Sequence, residues 1–363
     1  HECHDWFNQA AWIEKGHDAC NQQGEFQALA LRNNQLVGSI PPEIGLLGSL
    51  EGLVLGSNYL AQSIPNEIWE ISSLRLLTLD GNLLTGSLQL MSFQEQMIYL
   101  DLSRNMIEGT IPSQLGLLQA IRTLGLNDNL MDGTIVTELG QLDTLERIAL
   151  SNSALTGSIP SELFMNWRKL THLELRQNPL TGTIPSEIGL LSSLEEVYLY
   201  TCELAGPIPS QVGRLSSLTQ FSVALNKLTG SIPEDLWALT HMEGFTITGN
   251  AFTGTIPNQI GSWSDLTRFR NKYTLMTGTI PSTLGLLTRL TTLGLAGTGP
   301  VPVGLWGLPS LKWLTISGEI TGMLPSDSKT LQGLSYLNIS GSELSGTLPD
   351  HVCTLEDLSF DCS

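Results

Sequence analysis

The sequence predicts an α/β solenoid of about fourteen stacked coils. Its first mark is a period. Glycine recurs at Gly38, Gly86, Gly109, Gly133, Gly157, Gly182, Gly206, Gly230, Gly254, Gly278, Gly299, Gly322 and Gly346, with Gln62 in the same slot of the second copy. Nine of the thirteen steps are 24 residues, and the others are 23, 25, 21 and 23. A fixed period of this length describes units that each contact only their neighbours. A second mark is strict apolar and polar alternation in one half of every copy, which is strand periodicity. The third is Gly-x-Ile-Pro turn chemistry in the other half.

Each element of the copy has a physical reason. In the clearest copy, Leu170 to Pro185, Leu173 and Leu175 point inward while His172, Glu174 and Arg176 point outward. Successive copies then stack as parallel strands about 4.8 Å apart. Three residues after the second leucine comes an asparagine whose amide can bond buried backbone groups. Asn34, Asn58, Asn82, Asn105, Asn129, Asn178, Asn226 and Asn250 form this ladder, and Ser153, Cys202, Thr274 and Ser342 replace it elsewhere. Cys202 therefore reads as a buried structural thiol. The glycine permits a backbone angle other residues resist, the isoleucine or leucine buries, and the proline withholds a donor and ends the segment. A Ser-Glu-Ile-Gly stretch then carries the chain round the convex side as a short helical turn. The eleventh copy is irregular: Asn271 stands where an inward leucine belongs, and the copy after it is about three residues short. A buried amide without a partner is costly, so a break or bulge is expected there.

The 363 residues carry a net charge of -18, with 35 acidic against 17 basic side chains. Phosphate recognition needs a basic stripe, which argues against nucleic acid as a partner. The same balance argues against anionic lipid. No run of 18 apolar residues exists, so no membrane insertion is expected. The abrupt start at His1 reads as a mature or trimmed secreted form. Cys3 and Cys20 precede the first copy, and Cys353 and Cys362 follow the last. Two pairs segregated to the two ends predict disulfides Cys3–Cys20 and Cys353–Cys362 in an oxidising compartment. The expected organisation is a cap over 1–25, one stack over 26–350 and a second cap over 351–363. Phosphate loops, zinc-protease and serine-hydrolase motifs and kinase signatures are absent, so the chain is not expected to be an enzyme or to need a cofactor. His1, Cys3 and His4 fall together, but a disulfide at Cys3 removes the sulfur, and no metal site is assigned.

Leu180 to Leu199, "LTGTIPSEIGLLSSLEEVYL", and Leu228 to Ile247, "LTGSIPEDLWALTHMEGFTI", closely resemble the plant-specific class of leucine-rich repeats. The resemblance covers about nine-tenths of the chain. It implies a right-handed superhelix with a parallel sheet on the concave face and short 3-10 or helical turns on the convex face. The family includes receptor-kinase ectodomains, receptor-like proteins and inhibitors of pectin-degrading enzymes. What the resemblance implies is extracellular recognition of a protein, peptide or polysaccharide ligand, in a secreted protein or the ectodomain of a larger receptor. Trp6 and Trp12 sit where the family places cap aromatics, although the family's closely spaced cap cysteines are missing after Cys20.

Candidate ligand contacts are departures from a small, polar outward face. The N-terminal coils present Ala28, Ala30, Gly52, Val54 and Thr78. His172, Glu174, Arg176, Glu196, Tyr198 and Tyr200 form one cluster of charge and exposed tyrosine, as contact surfaces do. Arg268, Arg270, Lys272 and Tyr273 share one later coil, with Trp313 and Tyr336 beyond it. Three cations on one strand of so acidic a chain would attract an acidic sugar or a carboxylate. Asn338-Ile-Ser340 is a glycosylation acceptor at the outward face. The leading functional reading is ligand binding or adhesion, and a secreted inhibitor of a cell-wall-degrading enzyme is the alternative. A less favoured one is an ice- or crystalline-polysaccharide-binding face built from the threonines of the Gly-x-Ile-Pro column, such as Thr181, Thr183, Thr253, Thr255, Thr277 and Thr279.

Overall fold

The computed structural model describes residues 27–89, 95–327, 331 and 333–347. The proposed disulfides at Cys3, Cys20, Cys353 and Cys362 lie outside the described residues. The chain divides into two compact units, His1–Leu180 and Thr181–Ser363. Both are built of the same coil.

In the first unit seven short strands run parallel in chain order: Ala28–Ala30, Gly52–Val54, Leu76–Thr78, Tyr99–Asp101, Thr123–Gly125, Arg147–Ala149 and His172–Glu174. Leu29, Leu53, Leu77, Leu100, Leu124, Ile148 and Leu173 stand in register at their centres. The second unit repeats the pattern with Glu196–Tyr198, Gln220–Ser222, Gly244–Thr246, Arg268–Arg270, Thr292–Ala296, Trp313–Ser317 and Tyr336–Asn338. Its register runs Val197, Phe221, Phe245, Phe269, Leu293, Leu314, Leu337. From Leu53 through Leu337 these central side chains are all buried, because period-two alternation turns each of them to the inner side of its own unit. In the second unit three consecutive leucine positions hold phenylalanine. Phe221, Phe245 and Phe269 stack with centroids 5.9 and 6.1 Å apart, and Trp237 stacks on Trp263 beneath them at 5.0 Å.

From Asn58 onward the asparagine ladder forms as the sequence predicts, whereas Asn34 is exposed. Asn82 donates its amide to the carbonyls of Leu55 and Leu79 at 3.1 and 2.9 Å and accepts from the Leu60 N–H at 3.0 Å. Asn58, Asn105, Asn129, Asn178, Asn226 and Asn250 repeat the arrangement. Cys202 is buried in this slot, its thiol directed at the Tyr200 carbonyl.

Beyond the ladder, most described coils add a strand of two to five residues to short parallel ribbons, then turn back through a 3-10 turn such as Ser113–Leu117 or Ser186–Leu190, or through a single α-helical turn at Leu163–Asn166 and Val303–Trp306. Glycine at the end of these turns permits close stacking. A Cβ on Gly116 would sit 2.3 Å from the Glu138 carbonyl oxygen of the following coil. The ribbon glycines answer a different need. Gly278 takes φ +86, and its missing Cβ would meet the Thr255 methyl at 2.7 Å. Threonine from one coil thus lies over glycine of the next.

The expected break at Asn271 does not occur. Asn271 is completely buried, yet its amide donates to the Ala296 carbonyl at 3.0 Å and accepts from the Ala296 N–H at 2.9 Å. The side chain pairs with backbone as a neighbouring strand would. The strand of the short copy is correspondingly long, Thr292–Ala296, and it pairs over five residues with Trp313–Ser317.

Candidate ligand-binding site

The open face of the first unit holds an ion pair that spans two coils. Arg32 donates both terminal nitrogens to the Asp80 carboxylate, at 2.6 and 2.7 Å, and this hydrogen-bonded charge raises the guanidinium above its ordinary pKa. The bridge passes over Gly56, where a Cβ would sit 2.3 Å from the arginine nitrogen. Asp101, on the next coil, accepts from the Ser103 N–H at 3.0 Å. Burial, then the charge of Asp80, pushes its carboxyl above the usual range. The folded chain therefore holds this proton more tightly than the unfolded chain. The resulting cost is absent below the ordinary carboxylate range, grows as pH rises to the folded pKa, and stays constant above it. Asp101→Asn is expected to be more stable than the parent near pH 7 and to lose that advantage near pH 3, which urea unfolding at the two pH values checks.

The sequence grouped His172, Glu174 and Arg176 with Glu196, Tyr198 and Tyr200. The first three belong to the first unit. Arg176 Nε is bonded to the Glu174 carboxylate, and His172 Nδ1 lies 2.7 Å from the Thr171 hydroxyl. The last three belong to the second unit, where the structure joins two clusters that the sequence kept apart. Tyr198 and Tyr200 on one side and Arg268 and Arg270 on the other line a single hollow of about 440 Å³, within the size range of ligand pockets. Four strands build it, Glu196–Tyr198 through Arg268–Arg270. Its floor is low because the two middle strands carry Gln220, Ser222, Gly244 and Thr246. The Gln220 amide lies across Gly244, where a Cβ would sit 2.0 Å from its oxygen. These floor residues drew no notice in sequence, since small polar side chains are the ordinary content of an outward face. The signal available was their position between tyrosines and arginines.

The hollow is electrostatically one-sided. Among the described residues Arg268, Arg270 and Lys272 have no acidic ion-pair partner, unlike Arg289, Lys227 or Arg122. Burial, and after it the like charge of Arg268, lowers the Arg270 pKa, and burial alone lowers that of Lys272. Both cations are thus partly stripped of water without a compensating carboxylate. Lys272 Nζ stands 5.3 Å from the centre of the Tyr273 ring. Trp313 and Tyr336 stack on each other two and three strands beyond Arg268, at 3.8 Å and 13°. They lie outside the hollow. Asn338 accepts from the N–H and hydroxyl of Ser340 at 3.0 and 2.7 Å. No helix among the described residues is long and apolar enough to cross a membrane, and no cluster of metal-ligating side chains occurs among them.

Residues 96–118, 169–191 and 333–355 match the Leucine Rich Repeat family model. These segments are leucine-rich repeats, and the chain is similar to solved plant receptor ectodomains. The ectodomain of the Arabidopsis receptor kinase HAESA, solved with an N-terminally extended IDA peptide hormone, is 31% identical with a TM-score of 0.85, covering 93% of this chain and 58% of that one. The ectodomain of the Arabidopsis thaliana receptor kinase GASSHO1/SCHENGEN3, solved with CASPARIAN STRIP INTEGRITY FACTOR 2, is 28% identical with a TM-score of 0.74, covering 92% and 46%. The chain thus spans about half the length of these receptors' solved ectodomains. A plant ice-binding protein is 25% identical with a TM-score of 0.60, covering 73% of this chain and 87% of that one. Comparison with curated proteins gave no match.

Proposed function

We propose that the chain is an extracellular recognition module that binds an anionic ligand, such as an acidic peptide or sugar, in the hollow between Tyr198, Tyr200, Arg268 and Arg270. One observation carries the reading: two half-buried cations, Arg270 and Lys272, stand beside the exposed Arg268 without ion-pairing carboxylates among the described residues, in a protein of net charge -18. Desolvated cations without partners are unfavourable on their own, and a bound anion supplies the missing charge. The tyrosines add amphipathic contact area on the opposite wall. Peptide complexes of the Arabidopsis receptor ectodomains support ligand capture by this kind of scaffold. The disulfide-closed caps, secretion and a glycan on Asn338 belong to the same extracellular reading.

The test is binding of fluorescent acidic, neutral and basic peptide pools and of acidic oligosaccharides to the purified protein. The acidic pools are expected to bind best, with affinity falling as salt is raised. Loss of charge-assisted bonds from two guanidinium groups is worth about 3–5 kcal/mol, so Arg268→Ala with Arg270→Ala is expected to weaken binding by a factor on the order of 100 or more. Equal affinity for acidic and basic pools would sink the proposal. Inhibition of a secreted glycan-degrading enzyme, if the same variants abolished it, would place the anion on that enzyme.

A second reading rests on the ribbon threonines, and the likeness to a plant ice-binding protein favours it. Thr253, Thr255, Thr277 and Thr279 are exposed. Their register is staggered by two residues, however: Ser231 pairs with Thr253, and Thr279 with Thr298. Equivalent hydroxyls therefore form an oblique ladder rather than two straight rows. Thermal hysteresis in concentrated protein, abolished by Thr253→Lys with Thr277→Lys, would favour this reading; its absence removes it.

A further inference from the structure

The residue just before the ladder position has the same backbone in every coil from Asn33 to Tyr273, with φ between +51 and +67. This left-handed conformation suits glycine, asparagine and aspartate and disfavours bulky apolar side chains. Asn33, Gly81, Asp128, Asn152 and Gly249 comply, and Ser57, Arg104, Gln177 and Thr201 are polar; two positions carry large, chiefly apolar side chains. Leu225, at φ 53, and Tyr273, at φ 54, take this conformation with large side chains, and they flank Gly249 on the coil between. Backbone bonds place the three on successive rungs: Asn226 N–H donates to the Gly249 carbonyl at 3.2 Å, and Asn250 N–H donates to the Tyr273 carbonyl at 3.3 Å.

None of this apolar surface is spent on the core. Leu225 is 56% exposed, Tyr273 73% and the adjoining Leu275 63%. Leu225 leans over the glycine, since a Cβ on Gly249 would lie 2.7 Å from its Cδ2. The result is an apolar shelf two strands wide, about 10 Å, along the rim of the open face. It belongs to the coils that floor and wall the basic hollow. Lys272, next in chain to Tyr273 and over its ring, links the two.

We infer that the rim shelf of Leu225, Gly249, Tyr273 and Leu275 is an apolar subsite, and that the ligand of the adjoining hollow is a peptide segment carrying an acidic group and a neighbouring leucine- or phenylalanine-like side chain. This rests on the reading of the hollow as an anion site. The charge of the hollow fixes the acidic end, and the shelf decides between peptide and sugar. An aliphatic or aromatic side chain buries Leu225 and Tyr273, whereas an acidic oligosaccharide brings no group of that kind. The shelf would act as a specificity determinant: it selects among acidic ligands, while the arginines supply the anchoring charge.

The experiment uses two pools of fluorescent hexapeptides, each with one glutamate. In one pool a leucine or phenylalanine stands at every spacing from the glutamate, and in the other serine takes its place. The intact chain is expected to bind the apolar pool on the order of ten times more tightly than the serine pool. Leu225→Ser combined with Leu275→Ser is expected to reduce that ratio to about one while leaving affinity for the serine pool unchanged. Both residues are exposed, and circular dichroism would verify that the variant keeps its fold. Arg268→Ala with Arg270→Ala is expected to weaken both pools alike. A preference that survives the double serine variant, or a parent ratio near one, overturns the inference and leaves the anion site standing. Binding of trigalacturonic acid in place of either pool reassigns the occupant to a glycan and overturns the inference as well. If neither pool nor the sugar binds the parent, the anion reading falls and the shelf falls with it.

Discussion

Asn82→Ala is expected to lower the stability of the first unit by about 3–5 kcal/mol, far more than an average point substitution. The reason lies in how many backbone groups one amide serves. Asn82 is 6% exposed, and its nitrogen donates to the carbonyls of Leu55, Leu79 and Asp80 at 3.1, 2.9 and 3.4 Å. Its oxygen accepts from the Leu60 N–H at 3.0 Å. Alanine leaves the buried Leu60 N–H without a partner, at about 1–3 kcal/mol, and removes one bond from each of the Leu55, Leu79 and Asp80 carbonyls, which keep Asn58, Asn105 and Ser57 as donors, at about 0.5–1.5 kcal/mol each. Two of them, Leu55 and Leu60, belong to the preceding coil, so the substitution uncouples neighbours. Asn34 provides the contrast. It is exposed, and among the described residues its amide reaches only the Arg32 carbonyl, at 3.2 Å. Asn34→Ala should cost about 0.5–1 kcal/mol, the ordinary net value of one bond. Chemical denaturation of the two variants measures the difference. Similar losses at the two positions would mean that the ladder is not what joins the coils. Hydrogen exchange should place the Asn82→Ala effect in the coils around residues 55 and 82, because coils of a solenoid contact only their neighbours.

Much of this architecture was legible in the sequence because the interactions that define it are periodic. Leu53, Leu77, Leu100 and Leu124 announce a strand by alternation and a stack by recurrence, and the structure pairs them as read. Asn58 and Asn82 were legible for the same reason: each solves, in every coil, the same problem of unpaired backbone. The open face was legible only in part. Tyr198 and Arg270 stood out individually, yet nothing in the period says that the strands between them are low enough to make one hollow. That depends on Gly244, whose lack of a side chain leaves room for the Gln220 amide to lie flat. Arg32 and Asp80 were missed because they lie 48 residues apart. The bridge exists only because glycine stands at position 56 of the intervening coil. Leu225 and Tyr273 were hidden differently. Their positive φ belongs to the backbone of the repeat, so only the structure shows that two bulky side chains occupy a glycine-like site.

Asn271 shows where column logic fails, and it leads to the second large effect. Read by column, Asn271→Leu restores the expected residue and should stabilise the chain. The structure indicates the reverse. The amide accepts from the Ala296 N–H at 2.9 Å and donates to the Ala296 carbonyl at 3.0 Å, at a site with no exposure to water. Leucine would leave both backbone groups unpaired, at a cost of about 1–3 kcal/mol each. Its added apolar burial returns only about 1.5–3 kcal/mol. A net loss of about 1–3 kcal/mol is expected for Asn271→Leu, and about 3–5 kcal/mol for Asn271→Ala, which returns nothing and leaves a void. Urea unfolding of the parent and both variants provides the measurement, with stabilisation by leucine as the contrary outcome. The consequence reaches the open face, because Asn271 sits between Arg270 and Lys272 in the chain. Pairing with Ala296 holds that coil against a shortened neighbour, so the segment presenting the cations stays in register with the strands on either side. Asn271→Leu should therefore weaken anion capture by the hollow even under conditions where the chain remains folded. A leucine variant that binds acidic peptides with parental affinity would show that the pairing serves stability alone.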